Sequence, residues 1–159
     1  EQAGSAREIY DLPKTTYVAE FMGGWNVFSG AVRDSKNNME TLKGPGSEVY
    51  QVPAQGKKEG SDLSFGVRRD KVHLLGTEGQ EDRGNALSGK VNAVEYQGNW
   101  VKVTIDRPEA DQIVAVIEDR EYFTNPANVG DDVTATWSPA DVHFMEKALG
   151  EQNLIGETF

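Results

Sequence analysis

Short apolar runs separated by turn residues dominate the chain from residue 25 onward. Within each run, Val, Ile, Thr and aromatic residues recur at alternate positions, and clusters of Gly, Pro, Asn and Asp lie between the runs. A period of two with frequent turn signals is typical of an all-β fold. The pattern predicts five strands at residues 27–33, 39–42, 48–52, 63–67 and 72–75, and five more at residues 90–96, 100–105, 112–118, 133–137 and 142–145.

The first 24 residues have a helical pattern instead. Ser5 and Glu8 have the spacing of a capping box, in which both side chains bond the free amides at the start of a helix. Pro13 ends this helix, because proline lacks the amide hydrogen that a helix interior needs. A second short helix is predicted at residues 16–22, ended by the glycine pair that begins at Gly23. The predicted fold class is therefore all-β with a short helical N-terminal segment.

The β region contains the same sequence pattern twice. Residues 28–32 (Phe-Ser-Gly-Ala-Val) open the first copy, and residues 87–91 (Leu-Ser-Gly-Lys-Val) open the second. Each copy closes with a Val-His pair and an apolar residue, with His73 in the first and His143 in the second. A repeat at a period of tens of residues indicates one supersecondary unit used twice. Five short strands in each copy suit a small Greek-key barrel of the OB type.

The repeat predicts how the chain is divided. The predicted parts are a helical connector at 1–24, a first OB-like repeat at 25–76, a linker at 77–86, a second OB-like repeat at 87–145 and a C-terminal tail at 146–159. A repeat of about 50 residues buries too little apolar surface to be stable alone. We therefore expect the two copies to unfold together, with a strand from one copy completing the barrel of the other.

Composition narrows the possible functions. The chain has no cysteine, which excludes disulfides and thiolate metal sites. It has neither an apolar run of roughly 18 residues that could span a membrane nor a signal peptide before the first helix, so we expect a soluble cytoplasmic domain. The net charge is −10, and residues 87–159 contribute most of it, with 5 basic and 13 acidic residues. Such a charge repels phosphate backbones. It therefore disfavours an alternative function, that of an OB-fold protein that binds nucleic acid.

Two motifs resemble a phosphate-binding loop and a metal site, but a structural role explains each of them better. Residues 84–90 have the glycine and lysine spacing of a phosphate-binding loop, but Val91 stands where Ser or Thr would hold magnesium. We interpret them as a turn that leads into a strand. His73 and His143 lack the three or four convergent ligands of a metal site, which favours a packing or hydrogen-bonding role. With no acid–base pair or nucleophile apparent, the sequence predicts no catalytic residue, metal or cofactor in this chain.

Several segments resemble a known family. Residues 4–10 (Gly-Ser-Ala-Arg-Glu-Ile-Tyr) and 21–23 (Phe-Met-Gly) resemble the segment of bacterial ABC importer ATP-binding subunits that enters the C-terminal regulatory domain. Residues 130–133 (Gly-Asp-Asp-Val), followed by 137–139 (Trp-Ser-Pro), are similar to the end of the family's TOBE module, a transport-associated OB fold. Residues 120–125 look most like the spermidine/putrescine and ferric-iron importer types. The family usually has proline where this chain has Ala6.

The resemblance implies a function as well as a fold. It implies a non-catalytic regulatory and dimerisation domain, built from two fused OB-like (TOBE) units, of an ATP-binding protein for solute import. The implied location is cytoplasmic, at the inner face of the cell membrane within a transporter complex. The implied partners are an ATPase domain of the same polypeptide, a second ATPase subunit in a homodimer and, indirectly, the permease subunits, without nucleic acid or membrane insertion. The chain lacks the Walker A, Walker B and signature motifs, so we predict that it does not itself hydrolyse ATP.

Two groups of residues are candidates for contacts with partners. They are Arg120, Tyr122 and Phe123 in the stretch that resembles the polyamine importers, and Lys57 and Lys58 in the polar loop at 54–61.

An alternative function is a small-ligand sensor for an oxyanion or a polyamine. Residues 85–91 resemble the opening sequence of transport-associated modules that bind oxyanions. Gly84 stands where those modules have arginine, and the negative charge of the chain favours a polycation over an oxyanion.

Overall fold

The computed structural model describes residues 13–16, 19, 23–46, 48–76 and 81–146. Within them the protein is nearly all β, and each of the ten predicted strands is present. A short α-helix, α1 (Asp119–Tyr122), lies among these residues, and no helix in this part of the chain is long and apolar enough to cross a membrane. The strands are β1 (Trp25–Lys36), β2 (Met39–Lys43), β3 (Val49–Pro53), β4 (Asp62–Arg68), β5 (His73–Leu74), β6 (Asn85–Gln97), β7 (Trp100–Arg107), β8 (Ala110–Glu118), β9 (Asp132–Trp137) and β10 (His143–Met145).

The ten strands form two five-stranded sheets that exchange their last strands. The strand orders are β10-β4-β1-β2-β3 and β5-β9-β6-β7-β8. Strand β5 ends the first repeat and pairs with β9 of the second, where His73 lies opposite Thr136. Strand β10 ends the second repeat and pairs with β4 of the first, where His143 lies opposite Gly66. The prediction that one copy supplies a strand to the other is confirmed, and the exchange is reciprocal.

The chain forms two compact units as a result. Unit 1 contains β1 to β4 and β10, and unit 2 is the continuous stretch 68–141, with β5 to β9 and α1. Each unit therefore combines strands from both predicted repeats. Strand β6 begins at Asn85, inside the stretch predicted as the linker.

The first strand of each repeat bends at the same place. The pairing register shifts one residue after Val32 in β1 and one residue after Val91 in β6, which marks a β-bulge in each. Gly30 and Gly89 each lie three residues before the extra residue of the bulge. A Cβ atom at Gly89 would lie only 2.5 Å from the carbonyl oxygen of Asp106. Glycine is needed here because the neighbouring backbone passes too close for a side chain.

Each unit has its own core. In unit 1, the rings of Phe28, Tyr50 and Phe65 contact one another with centroid distances of 5.3 Å. In unit 2, Trp137 is fully buried, and the core also contains the buried apolar side chains of β7 and β8. Strand β5 and the 3₁₀ turn Arg69–Lys71 lie against β8. The two edges of the unit 2 sheet thus approach each other, as in the partly open barrel of an OB fold.

A short segment before β1 is tied to the end of β10 within unit 1. The amide of Thr16 donates to the carbonyl of Glu146, and the amide of Glu146 donates to the carbonyl of Lys14, both at 3.0 Å. The amides of Ala19 and Gly23 each bond the carbonyl four residues earlier, as in an α-helix. These bonds agree with the predicted second helix. The remainder of the predicted helical connector, with its capping box, lies outside the described residues.

Candidate functional site

A cleft of about 830 Å³ opens in unit 2. Its volume is in the range typical of sites for small ligands. It is lined by the start of β6, the turn after β7, the loop after α1, the start of β9 and the end of β5. The polar groups in the lining are Ser88, Lys90, Asp106, Arg107, Asn125, Asp131, Asp132 and Thr134.

The repeated opening sequence supplies one wall of this cleft. The hydroxyl oxygens of Ser88 and Thr134 lie 3.3 Å apart across β6 and β9. The corresponding hydroxyls in unit 1, those of Ser29 and Ser64, lie 2.9 Å apart, so the hydroxyl pair belongs to the repeat itself. The residue after the glycine is Ala in the first copy and Lys90 in the second, which puts a charge on this wall in unit 2.

Both cations of the cleft already have partners. The ammonium of Lys90 donates to the carboxylate of Asp132 at 2.9 Å and to the carbonyl of Gly130 at 3.3 Å. The Nε–H of Arg107 donates to the backbone carbonyl of Asp111 at 2.8 Å. An incoming anion would have to compete with these oxygen atoms.

Asp106 is a carboxylate that two side-chain amides hold in place. It accepts hydrogen bonds from the side-chain amides of Gln112 at 2.6 Å and Asn92 at 2.8 Å, and these bonds lower its pKa. Asn92 is the extra residue of the β6 bulge, so the bulge supplies one of the donors. With Asp131 and Asp132, the cleft contains three carboxylates against two cations. Its excess charge is negative and favours a cationic ligand.

The residues that the sequence suggested for contacts lie in different compact units. Lys57 and Lys58 are exposed in the loop before β4 of unit 1, and Arg120, Tyr122 and Phe123 are in or next to α1 of unit 2. The side chain of Arg120 is 89% exposed and its guanidinium lies 3.9 Å from a carboxylate oxygen of Glu118. This arrangement leaves it open to solvent.

Tyr122 is a supporting residue instead of a surface residue. It is 1% exposed, and its hydroxyl donates to the carbonyl of Ala127, which lines the cleft. Burial, followed by a hydrogen bond to Tyr96, raises the pKa of Tyr122 from 10 to about 12. Tyr122 therefore fixes part of the cleft wall from inside unit 2.

Tyr96 and Phe123 form an exposed aromatic pair beside Tyr122. Their rings are nearly parallel, at 3°, with centroids 6.0 Å apart. They are 63% and 57% exposed. The ring of Tyr122 meets both of them edge-on. Tyr96 was not among the residues predicted from the sequence, although an aromatic residue two positions before Gly98 of the hairpin turn was a usable signal.

The two histidines occupy corresponding strand positions and bind different groups. Nδ1 of His73 lies 2.8 Å from the carboxylate of Glu121 in unit 2. Nε2 of His143 donates to the carbonyl of Pro13 at 2.8 Å in unit 1, and its ring packs against Trp25. No cluster of three metal-ligating side chains occurs among the described residues. Their contacts are those of hydrogen-bonding and packing residues.

Comparison with known families gives a match over most of the described β region. The TOBE domain family matches residues 40–145.

Curated relatives are ATP-binding proteins of importers. The sulfate/thiosulfate import ATP-binding protein CysA of Methylococcus capsulatus is 29% identical over 134 residues, which are 84% of this chain and 35% of that protein. The spermidine/putrescine import ATP-binding protein PotA of Borreliella afzelii is 28% identical over 146 residues, 92% of this chain and 37% of that protein. PotA of Mannheimia succiniciproducens is 30% identical, over 74% of this chain and 32% of that protein. The chain thus spans roughly a third of the length of these relatives.

A solved structure has a similar fold. A crystal structure of the cytoplasmic molybdate-binding protein ModG with molybdate bound matches with a TM-score of 0.65 and 16% sequence identity. The match covers 76% of this chain and 95% of the ModG chain. At this identity the likeness concerns the fold alone.

Proposed function

Because this chain belongs to the TOBE domain family, we propose that it is the regulatory part of an ABC importer ATP-binding protein, and that the unit 2 cleft receives the ligand that regulates it. The proposal places the chain beside an ATPase domain of the same polypeptide, at the inner face of the cell membrane. The importer relatives and the fold shared with a ligand-binding protein support a regulatory, ligand-sensing role.

The observation that carries this proposal is the acidic, hydrogen-bonded lining of the cleft. The two amide donors to Asp106 favour its ionised form, and Asp131 is a second carboxylate of the lining. A flexible diamine or triamine could place ammonium groups against these carboxylates and lay its methylene groups on the apolar lining. Two of the relatives carry spermidine and putrescine in their names. We therefore propose a polyamine as the ligand.

An oxyanion is the second candidate. Lys90, Arg107 and the Ser88–Thr134 hydroxyl pair are donors that suit sulfate or molybdate, and the fold is shared with a molybdate-bound protein. The position at which the resembled oxyanion modules have arginine is closed in this chain. Gly84 has a φ of 122°, and a Cβ atom there would lie 2.7 Å from the ring of Pro139. With three carboxylates against two cations, the cleft suits an anion less well than a cation.

Calorimetric titration tests the ligand class. In about 0.15 M salt, where charges are screened beyond roughly 8 Å, we expect saturable binding of spermidine and no binding of sulfate or molybdate. Asp106→Asn should weaken spermidine binding about tenfold, the equivalent of 1.4 kcal/mol. Asp62→Asn is the matched control, because it removes the same charge from an exposed position in β4 of unit 1.

Three results would contradict this assignment. Equal weakening by the two variants, or complete competition by magnesium ions, would mean that spermidine is attracted only by the general charge of the chain. Saturable binding of sulfate in place of spermidine would favour the oxyanion alternative.

The regulatory part of the proposal is tested in the full-length protein. We expect spermidine to change its ATPase rate, and Asp106→Asn to abolish that change while leaving the rate without spermidine unaltered. A polyamine that binds this domain without any effect on ATPase activity would refute regulation but not binding.

A further inference from the structure

We propose that the aromatic pair of Tyr96 and Phe123 is a docking surface for a positively charged protein segment that carries arginine or lysine side chains. The proposal concerns a different set of residues from the cleft, and it does not depend on the ligand of the cleft.

The pair is held in position before any partner arrives. The ring of Tyr122 meets the rings of Tyr96 and Phe123 at 81° in both cases, with centroids 6.1 Å and 5.0 Å away. Tyr122 is in turn anchored through its hydroxyl to the carbonyl of Ala127. A surface whose side chains are already fixed loses little conformational entropy on binding. Two large, parallel and more than half-exposed rings on such a support are therefore suited to recognition.

Charge determines the kind of partner. The face of an aromatic ring attracts a cation that approaches within about 6 Å of its centroid. Glu118 and Asp119, at the start of α1, add carboxylates five and four residues before Phe123 in sequence, and the chain as a whole has a net charge of −10. This field attracts a basic segment. It repels nucleic acid and also a second copy of the same chain.

The two exposed, nearly parallel rings favour a peptide side chain over a small amine. A guanidinium group is planar and stacks on aromatic faces. The methylene stems of arginine and lysine can cover the remaining ring surface while the charge stays hydrated. Arginine should therefore bind better than lysine, and a neutral residue of the same shape should bind poorly.

Arg120 provides a test of the sign of the partner's charge. It is the only positive residue of α1, and its side chain is 89% exposed. If the partner segment is basic, Arg120 opposes its approach. If the partner is acidic, Arg120 assists it.

The test uses the whole chain and a fluorescently labelled hexa-arginine peptide, with binding followed by anisotropy in about 0.15 M salt. Phe123→Leu keeps an apolar side chain and removes one ring, and it should weaken binding at least about threefold, as expected for an exposed cation–π contact. Arg120→Glu should strengthen binding. A hexa-citrulline peptide, which is similar in shape and neutral, should bind much more weakly.

The matched control is Trp100→Ala. Trp100 is 40% exposed on the same β6–β7 hairpin. Trp100 pairs with Gln97, and the neighbouring pair is Tyr96 with Val101. Because successive residues of a strand point to opposite faces of the sheet, Trp100 and Tyr96 lie on opposite faces. This variant should leave peptide binding unchanged. Asp106→Asn alters the acidic cleft, which also attracts cations. A loss of peptide binding in Asp106→Asn with none in Phe123→Leu would assign the peptide to the cleft and overturn the proposal.

Each opposite result overturns the proposal. Equal affinity of the wild-type protein and Phe123→Leu would show attraction by general charge only, and weaker binding by Arg120→Glu would show that the surface prefers an acidic partner. A homodimer in sedimentation experiments that is lost in Phe123→Leu would assign the surface to a second copy of the chain.

Discussion

Tyr122 connects the two surfaces of unit 2 that we assign to binding. Its hydroxyl holds the carbonyl of Ala127 in the cleft wall, and its ring supports Tyr96 and Phe123. Because the side chain is 1% exposed, no water molecule from bulk solvent can replace its hydrogen bond without a rearrangement. A buried carbonyl that loses its donor costs about 1–3 kcal/mol.

We expect Tyr122→Phe to lower the free energy of unfolding by about 1–2 kcal/mol, since it removes this donor and keeps the ring. The effect should disappear at high pH. The folded pKa of about 12 exceeds the ordinary value of 10, so the hydroxyl stabilises the fold fully below pH 10 and loses this contribution as the pH rises towards 12. Urea unfolding of both proteins from pH 8 to 11.5 measures the difference. A difference that grows with pH would contradict the raised pKa.

Residue-level properties were the least predictable from sequence. Arg120 and Phe123 were identified through a resemblance, and the structure leaves both exposed. Tyr122 was grouped with them because the sequence does not reveal which of two adjacent aromatic residues turns inward. The role of Asp106 depends on donors that are six and fourteen residues away in sequence, brought to it by strand pairing and by a bulge.

At the scale of elements, the local sequence pattern was sufficient to predict the strands but not the β-bulges within them. The alternation of apolar residues located all ten strands, since one face of each sheet is buried. The loop predicted after β1 is a tight turn at Asn37 and Asn38, whose φ angles of 54° and 63° are those of a type I′ hairpin. The bulges were not predicted, because a bulge is defined by the partner strand and leaves little trace in its own sequence.

The glycine before each bulge gives a prediction at this scale. Gly89→Ala should destabilise the protein by about 1–3 kcal/mol, because its Cβ atom would overlap with the backbone of β7. Gly30→Ala, at the corresponding position of unit 1, should cost less, because the nearest atoms there are at 3.0 Å and 3.1 Å instead of 2.5 Å. Equilibrium unfolding of the two variants gives the comparison. Equal costs, or a larger cost for Gly30→Ala, would contradict the ranking that these distances predict.

At the scale of the whole molecule, the exchange of β5 and β10 decides which segments hold a complete sheet. Neither predicted repeat contains all five strands of either sheet, which gives a topological reason for the expectation that the repeats unfold together. That expectation stays a prediction. The repeat itself was visible in the sequence, whereas the extent of the exchange was not, since β5 and β10 have nearly the same pattern and either could pair with β4 or β9.

Two fragments of similar length test the exchange. Residues 68–141 include every strand of the unit 2 sheet, whereas residues 81–146 lack β5 and carry β10 without its partner. We expect the first fragment to show a cooperative urea transition in tryptophan fluorescence, and the second to show none as a monomer. Indistinguishable transitions for the two fragments would mean that β5 contributes nothing to unit 2.

The exchange of strands also limits which segments of such a protein can be deleted during evolution. Unit 2 is a continuous segment that interrupts unit 1 between β4 and β10, two strands that lie side by side with His143 opposite Gly66. In chain order, unit 2 is therefore an insertion between two neighbouring antiparallel strands of unit 1. A deletion that removes either repeat at its own sequence boundary also removes a strand from the surviving one. The two copies are therefore expected to be retained together during evolution. Only a deletion with the bounds of unit 2 leaves a complete sheet, that of unit 1.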